Sequence, residues 1–143
     1  NHHLPNVDSG EQRGVLESAI RISEDDSILF LATHLDHRRA DRERLASAKV
    51  INQMIGSRDK MPAILAGDFN DVPGSPTLKE VGKLWLRTNP EMNPTVPVAK
   101  PVRQIDYILV RPKDRWKVVE TQVLDEAVAS DHRAIFAVIE LIE

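Results

Sequence analysis

The chain has 143 residues, 41% hydrophobic and 29% charged, enough for one domain with a real core. Lys and Arg number 19 against 22 Asp and Glu, and the resulting net charge of −3 excludes a bulk basic field that would gather nucleic acid without sequence preference. The absence of Cys excludes disulfides and thiolate metal sites, and no apolar run approaches the roughly 20 residues that span a bilayer.

Residues 1–10 are polar, contain Pro5 and Gly10, and read as loop; His2 and His3 are given no role. Residues 15–22 alternate imperfectly, as a strand does, and the polar run 23–27 makes a turn. Residues 28–32 are uniformly apolar, the pattern of a buried central strand, and the two strands predict an antiparallel hairpin. The second strand leads into Thr33-His34-Leu35-Asp36-His37, so His34 stands where the chain leaves the core. A lone histidine in such a place is more often structural than functional.

Residues 40–55 predict a helix with Leu45, Ala48, Ile51 or Asn52, and Ile55 along one stripe, and Gly56 as its stop. Arg38, Arg39, Arg42 and Arg44 interleave with Asp36, Asp41 and Glu43 and read as a solvated, salt-bridged face. Residues 62–66 predict a short buried strand that delivers Gly67-Asp68-Phe69-Asn70. Gly67 lacks a Cβ, so backbone or ligand can come close. Asp68 and Asn70 are two residues apart and face one side if the chain stays extended. Taken alone, this stretch is equally an Asx turn that closes a strand.

Ser75-Pro76 starts a second helix, Ser as cap and Pro in the first turn, running to about residue 84. Residues 89–101 hold four prolines and read as an ordered loop or a lid over the sheet. Residues 104–110 form a strand that carries Asp106 among apolar neighbours, and a carboxylate there needs a partner. A strand over 116–124, a short loop with Asp131-His132, and a mostly buried final strand over 134–142 complete the chain. The order is β-β-α-β-α-β-β-β, a mixed α/β (α+β) fold in a single domain over residues 1–143.

Four strand ends thus carry Thr33-His34, Asp68-x-Asn70, Asp106 and Asp131-His132. No Ser stands in a strained elbow, and no glycine-rich phosphate loop is present. Two imidazoles, three carboxylates and an amide suit phosphoester hydrolysis with a hard cation such as Mg2+ or Mn2+. A zinc hydrolase using His34 and His37 is a weaker option, because that pair lies at a strand exit rather than on a helix.

Thr33-His34-Leu35-Asp36, Gly67-Asp68-Phe69-Asn70, Ile105-Asp106-Tyr107-Ile108 and Ser130-Asp131-His132 together resemble the endonuclease/exonuclease/phosphatase superfamily, in its order and approximate spacing. Gly14-Val15-Leu16-Glu17 and Pro94-Thr95 are weaker matches. The group includes pancreatic-type deoxyribonucleases, abasic-site endonucleases, inositol polyphosphate phosphatases, sphingomyelinases and deadenylases. The resemblance implies a portion of a four-layer α/β/β/α sandwich and a divalent-metal-dependent phosphodiesterase, nuclease or phosphatase that uses an activated water. It implies that Asp68 orients or deprotonates this water and also serves as a metal ligand, while Asn70 holds the phosphate and helps fix Asp68. His132 would contact the scissile phosphate, oriented by Asp106; His34 would be a second phosphate-contacting imidazole; and Asp131 would be a metal ligand, direct or through water.

Family members begin with a strand ending in Asn and continue to a metal-binding Glu, and neither is recognisable here, so the chain is expected to be the C-terminal part of such a domain and to turn over poorly alone. An incomplete sandwich is expected to leave an apolar sheet face that a homodimer would cover. The acidic balance tilts the expected substrate toward a small phosphoester, a lipid head group or a short nucleic acid. The alternative, from another class, is a non-catalytic module that binds a phosphorylated ligand or a protein.

Overall fold

In the computed structural model, residues 1–58 and 60–142 are described. The elements in chain order are β1 (His2–His3), β2 (Gly14–Arg21), β3 (Ser27–His34), α1 (Arg42–Gly56), β4 (Ala63–Asp68), α2 (Pro76–Val81), β5 (Leu86–Arg87), β6 (Asp106–Arg111), β7 (Trp116–Val123) and β8 (Ile135–Leu141). A six-stranded sheet runs β1-β2-β3-β4-β6-β5, and β7 and β8 pair as a separate two-stranded sheet. The predicted hairpin is β2–β3, antiparallel from Val15↔Thr33 to Arg21↔Ser27. The chain crosses through α1 and returns as β4, which pairs in parallel with β3. A parallel return needs such a crossover, whereas β4 and β6 pair antiparallel.

Alternation along the strands divides the apolar residues between two faces. Leu29, Leu31, Ala63, Leu65, Tyr107 and Leu109 join Ala48, Ile51 and Ile55 of α1 and Leu78 and Val81 of α2 in the main core. Their neighbours in sequence point the other way: Ile28, Val110 and Ile64 meet Trp116, Ile139 and Leu141 of the small sheet. Full burial of one such Leu or Ile contributes about 1.5–3 kcal/mol, so both layers hold the large sheet in place. Ser75 caps α2 as expected, its hydroxyl accepting the Leu78 N–H at 3.2 Å.

The structure departs from the expectations at four places. β1 and β5 were not foreseen, because two-residue strands carry no period of their own and exist through pairing with β2 and β6. α2 closes at Val81 rather than near residue 84. β8 is not mostly buried: Ile139 and Leu141 pack inward, while Phe136 and Val138 are 41% and 39% exposed, so only one face of the small sheet is covered. The charged face of α1 is not fully solvated either. Glu43 and Arg44 are buried, Leu45 is only half-buried, and the buried stripe includes Arg44, Ser47, Ala48, Ile51 and Ile55. No helix among the described residues is long and apolar enough to cross a membrane.

Candidate active site

Strand register assembles the site. His34, the last residue of β3, pairs with Asp68, the last of β4, and Asp68 pairs with Asp106, the first of β6. Paired residues project to the same face of a sheet, so these three side chains form a row on the face turned toward the small sheet. Gly67 makes the approach of β3 and β4 possible at this rim. Its φ is +146°, and a Cβ there would lie 1.8 Å from the Thr33 carbonyl oxygen.

Asp68 is half-buried, and its Oδ1 accepts the Asn70 N–H at 2.7 Å. Burial pushes the carboxyl above its ordinary range; the Asn70 N–H opposes this, and the negative charge of Asp106 adds to it. Oδ2 lies 3.4 Å from Nε2 of His34, whose ring is largely exposed. Asn70 has left the strand: its φ is 49°, and its Nδ2 donates to the Leu35 carbonyl at 3.0 Å. Of the two paths open to this stretch, extended or Asx turn, the chain takes the Asx turn, and the turn itself fixes the carboxylate.

Asp106 has the partners its setting demanded. Thr95 Oγ1 donates to its Oδ2 at 2.5 Å, and Nδ1 of His132 lies 3.0 Å from the same oxygen and 3.2 Å from the other. Nδ1 is thus the ring nitrogen engaged by Asp106, and Nε2, on the far side of the ring, is clear of that contact. The 89–101 segment is held against the loop that carries His132: Val98 N–H donates to the Asp131 carbonyl at 3.0 Å, and Arg133 N–H donates to the Thr95 carbonyl at 2.9 Å. Asp131 is exposed and, with Asn70, Ile105 and His132, lines an open hollow of about 390 Å³.

The structure thus brings together His34, Asp68, Asp106 and His132, with Asn70 and Asp131 on the adjoining hollow. Asp68, Asp106 and His132 each offer a ligand atom, all within 4.8 Å of one another. Two carboxylates and an imidazole suit a hard or borderline cation. Burial and, to a smaller degree, Asp106 disfavour the charge on Asp68, and a cation would offset both. Asp106 already serves Thr95 and His132, so Asp68 is the carboxylate with more freedom to take up a metal. Asp131 lies outside that group, as does His37, whose Nδ1 lies 3.4 Å from Nη2 of Arg13.

Sequence reasoning gave Thr95 no role, and it missed Arg44 and Asp71. Arg44 is 5% exposed; its Nε donates to Asp71 Oδ2 at 3.2 Å and its Nη1 to the Asp36 carbonyl at 3.1 Å. Helical spacing could have revealed it, because positions 44, 48, 51 and 55 lie on one stripe.

Among solved structures, the chain is similar to a functionally unknown conserved protein from Enterococcus faecalis V583, with 24% identity, a TM-score of 0.82, and coverage of 96% of this chain and 60% of that one. It is also similar to a mannosyl-6-phosphatase of Bacteroides thetaiotaomicron VPI-5482, with 24% identity, a TM-score of 0.64, and coverage of 82% and 53%. A third is D. rerio TDP2 complexed with a single-strand DNA product, with 16% identity, a TM-score of 0.69, and coverage of 90% and 62%. These likenesses establish the mixed α/β fold, and the chain spans between 53% and 62% of the length of these three. No curated protein sequence matches it. The sequence profile of the Endonuclease/Exonuclease/phosphatase family matches residues 3–132, and with the motifs and the fold in agreement, the chain belongs to that family.

Proposed function

We propose that the chain carries the water-activating side of a phosphoester hydrolase, acting on a phosphodiester or phosphomonoester with a divalent cation such as Mg2+ or Mn2+. The observation that supports this most is the convergence of Asp68, Asp106 and His132 at one rim, with His34 beside Asp68. Membership of a family named for nucleases and phosphatases supports the same class of chemistry.

Asp68 is the proposed base. Its carboxylate is held at the rim by the Asn70 N–H with His34 beside it, where it could accept a proton from water. The Asn70 N–H keeps Oδ1 in place, so Oδ2 is the oxygen left to take a proton from water. With a proton on each ring nitrogen, His132 would donate Nδ1–H to Asp106, itself held by Thr95, and Nε2–H to a phosphoryl oxygen. His34, at the exposed edge of the row, would meet a second phosphoryl oxygen, and Asn70 and Asp131 would line the space that the ester occupies. A divalent cation held by Asp68, the carboxylate with more freedom, would offset negative charge on the phosphoryl group.

The test is hydrolysis of bis-(p-nitrophenyl) phosphate with Mg2+ or Mn2+, using this chain and the longest product of its reading frame. His132→Ala should lower kcat by about 10²–10⁴-fold, the range for loss of a positioned acid or base. Chelation should abolish turnover, and added cation should restore it. A His132→Ala variant as active as its parent refutes the assignment. A parent that binds phosphate esters without turning them over favours a binding module instead.

A further inference from the structure

We propose that Arg44 is a positioning residue that clasps the two strand-exit loops bearing the reactive groups. The proposal rests on the hydrolase reading for its effect on turnover, though its geometry stands apart from it. Residues 35–38 follow His34, and residues 69–72 follow Asp68. Leu35 joins the first segment to the second strand and its loop, its N–H donating to the Asp68 carbonyl at 2.8 Å and its carbonyl accepting from Asn70 Nδ2. Arg44 reaches both from α1. Its Nη1 donates to the carbonyls of Asp36 and Arg38 on the first loop, and its Nε donates to the Asp71 carboxylate on the second.

Asp71 is fixed in turn from a third element. The Tyr107 hydroxyl lies 2.9 Å from the Asp71 carbonyl and 3.0 Å from the Gln104 carbonyl, tying the second loop to β6 just beyond Asp106. The side chains of Arg44 and Asp71 are 6% and 12% exposed, so water competes poorly for this bond and the fork geometry sets the spacing. The guanidinium thus links the loop after His34, the loop after Asp68 and, through Tyr107, the strand that begins with Asp106. A lysine could keep the charge there but could not reach two carbonyls and a carboxylate in one plane. A residue that holds a reactive pair in place without touching substrate affects kcat more than KM, because a displacement near 1 Å costs about 10²-fold in rate.

The experiment pairs Asp71→Asn, which keeps the shape, with Arg44→Lys, which keeps the charge. Both are followed by steady-state hydrolysis of bis-(p-nitrophenyl) phosphate and by residue-resolved amide hydrogen exchange. Each variant should lower kcat about 10–100-fold with KM within about twofold. Exchange at the Leu35, Phe69 and Asn70 amides should quicken at least about tenfold, while Leu31 and Leu65 inside the sheet stay protected as in the parent. Unchanged kcat and unchanged exchange in both variants overturn the proposal. So does a uniform rise in exchange over the sheet, which marks Arg44 as a general stabiliser. A parent inactive toward every phosphoester tried defeats the hydrolase reading, and the exchange pattern alone then decides whether the clasp exists.

Discussion

Replacing Gly67 with Ala tests whether the close approach of β3 and β4 sets the geometry of the rim. The new Cβ would sit 1.8 Å from the Thr33 carbonyl oxygen, 2.9 Å from its carbon and 3.2 Å from its nitrogen, all backbone atoms within a sheet pairing. No rotamer change can relieve that contact, and the φ of +146° belongs to a region that L-residues rarely enter. Backbone strain of this kind costs about 1–3 kcal/mol and overpacking about another 1–3, a total of about 2–6 kcal/mol. Against a domain stability of about 5–15 kcal/mol, this is a large fraction. With a urea slope of about 2 kcal/mol per M, the unfolding midpoint should fall by about 1–3 M. Trp85 and Trp116, both buried, supply the fluorescence signal. Gly56→Ala is the control: its Cβ would meet nothing within 4 Å at the end of α1, and helix propensity should raise stability by up to about 1 kcal/mol. A Gly67→Ala midpoint indistinguishable from the parent's, with turnover intact, would refute the claim that this contact fixes the site.

Two further substitutions probe the acid groups. The folded Asp68 carboxyl holds its proton to higher pH than the unfolded one, so the folded state binds more protons between the two values, and stability falls as pH rises through that window. Asp68→Asn cannot ionise; its urea midpoint should match or trail the parent's near pH 4 and exceed it increasingly toward neutrality, while turnover falls by about 10²–10⁴-fold. A midpoint difference that stays constant with pH would contradict the assignment. Thr95→Val removes the hydroxyl that donates to Asp106, costing about 1–3 kcal/mol in the same urea assay, and it should lower kcat through a less constrained His132. Equal stability and equal kcat would show that the contact does not orient the pair.

The long elements were legible because their patterns matched their surroundings. The apolar residues 28–32 lie in β3 and residues 63–66 of the predicted 62–66 run lie in the adjacent β4, and the 3.6-residue stripe of α1 faces the core. The polar exits at His34, Asp68, Asp106 and His132 were legible for a similar reason: each is a polar break at the end of, or beside, an apolar run. Other features had no local signature. β5 exists because Leu86 and Arg87 pair with β6, and Asn70 departs from the extended path through a turn that the sequence admitted but did not require. Arg44 and Glu43 looked solvated because charge dominates their neighbourhood. Their burial depends on partners far along the chain: Asp71 for Arg44, and the Val7 and Asp8 N–H groups for Glu43. The alternation in β8 was overlooked because two of its outward positions, Phe136 and Val138, are apolar as well and only Glu140 marks the outer face.

The row His34, Asp68, Asp106 is written into ladder pairing, and ladders are indifferent to the length of what joins them. Turns and crossovers on the far side of the sheet can therefore gain or lose residues while these three side chains keep their mutual spacing. A slip of one residue in β4 would instead turn Asp68 to the helical face and bring Gly67 into its place. The architecture thus separates what can drift from what must stay: the row of side chains travels with the hydrogen-bond register, and the loops around it are free to change.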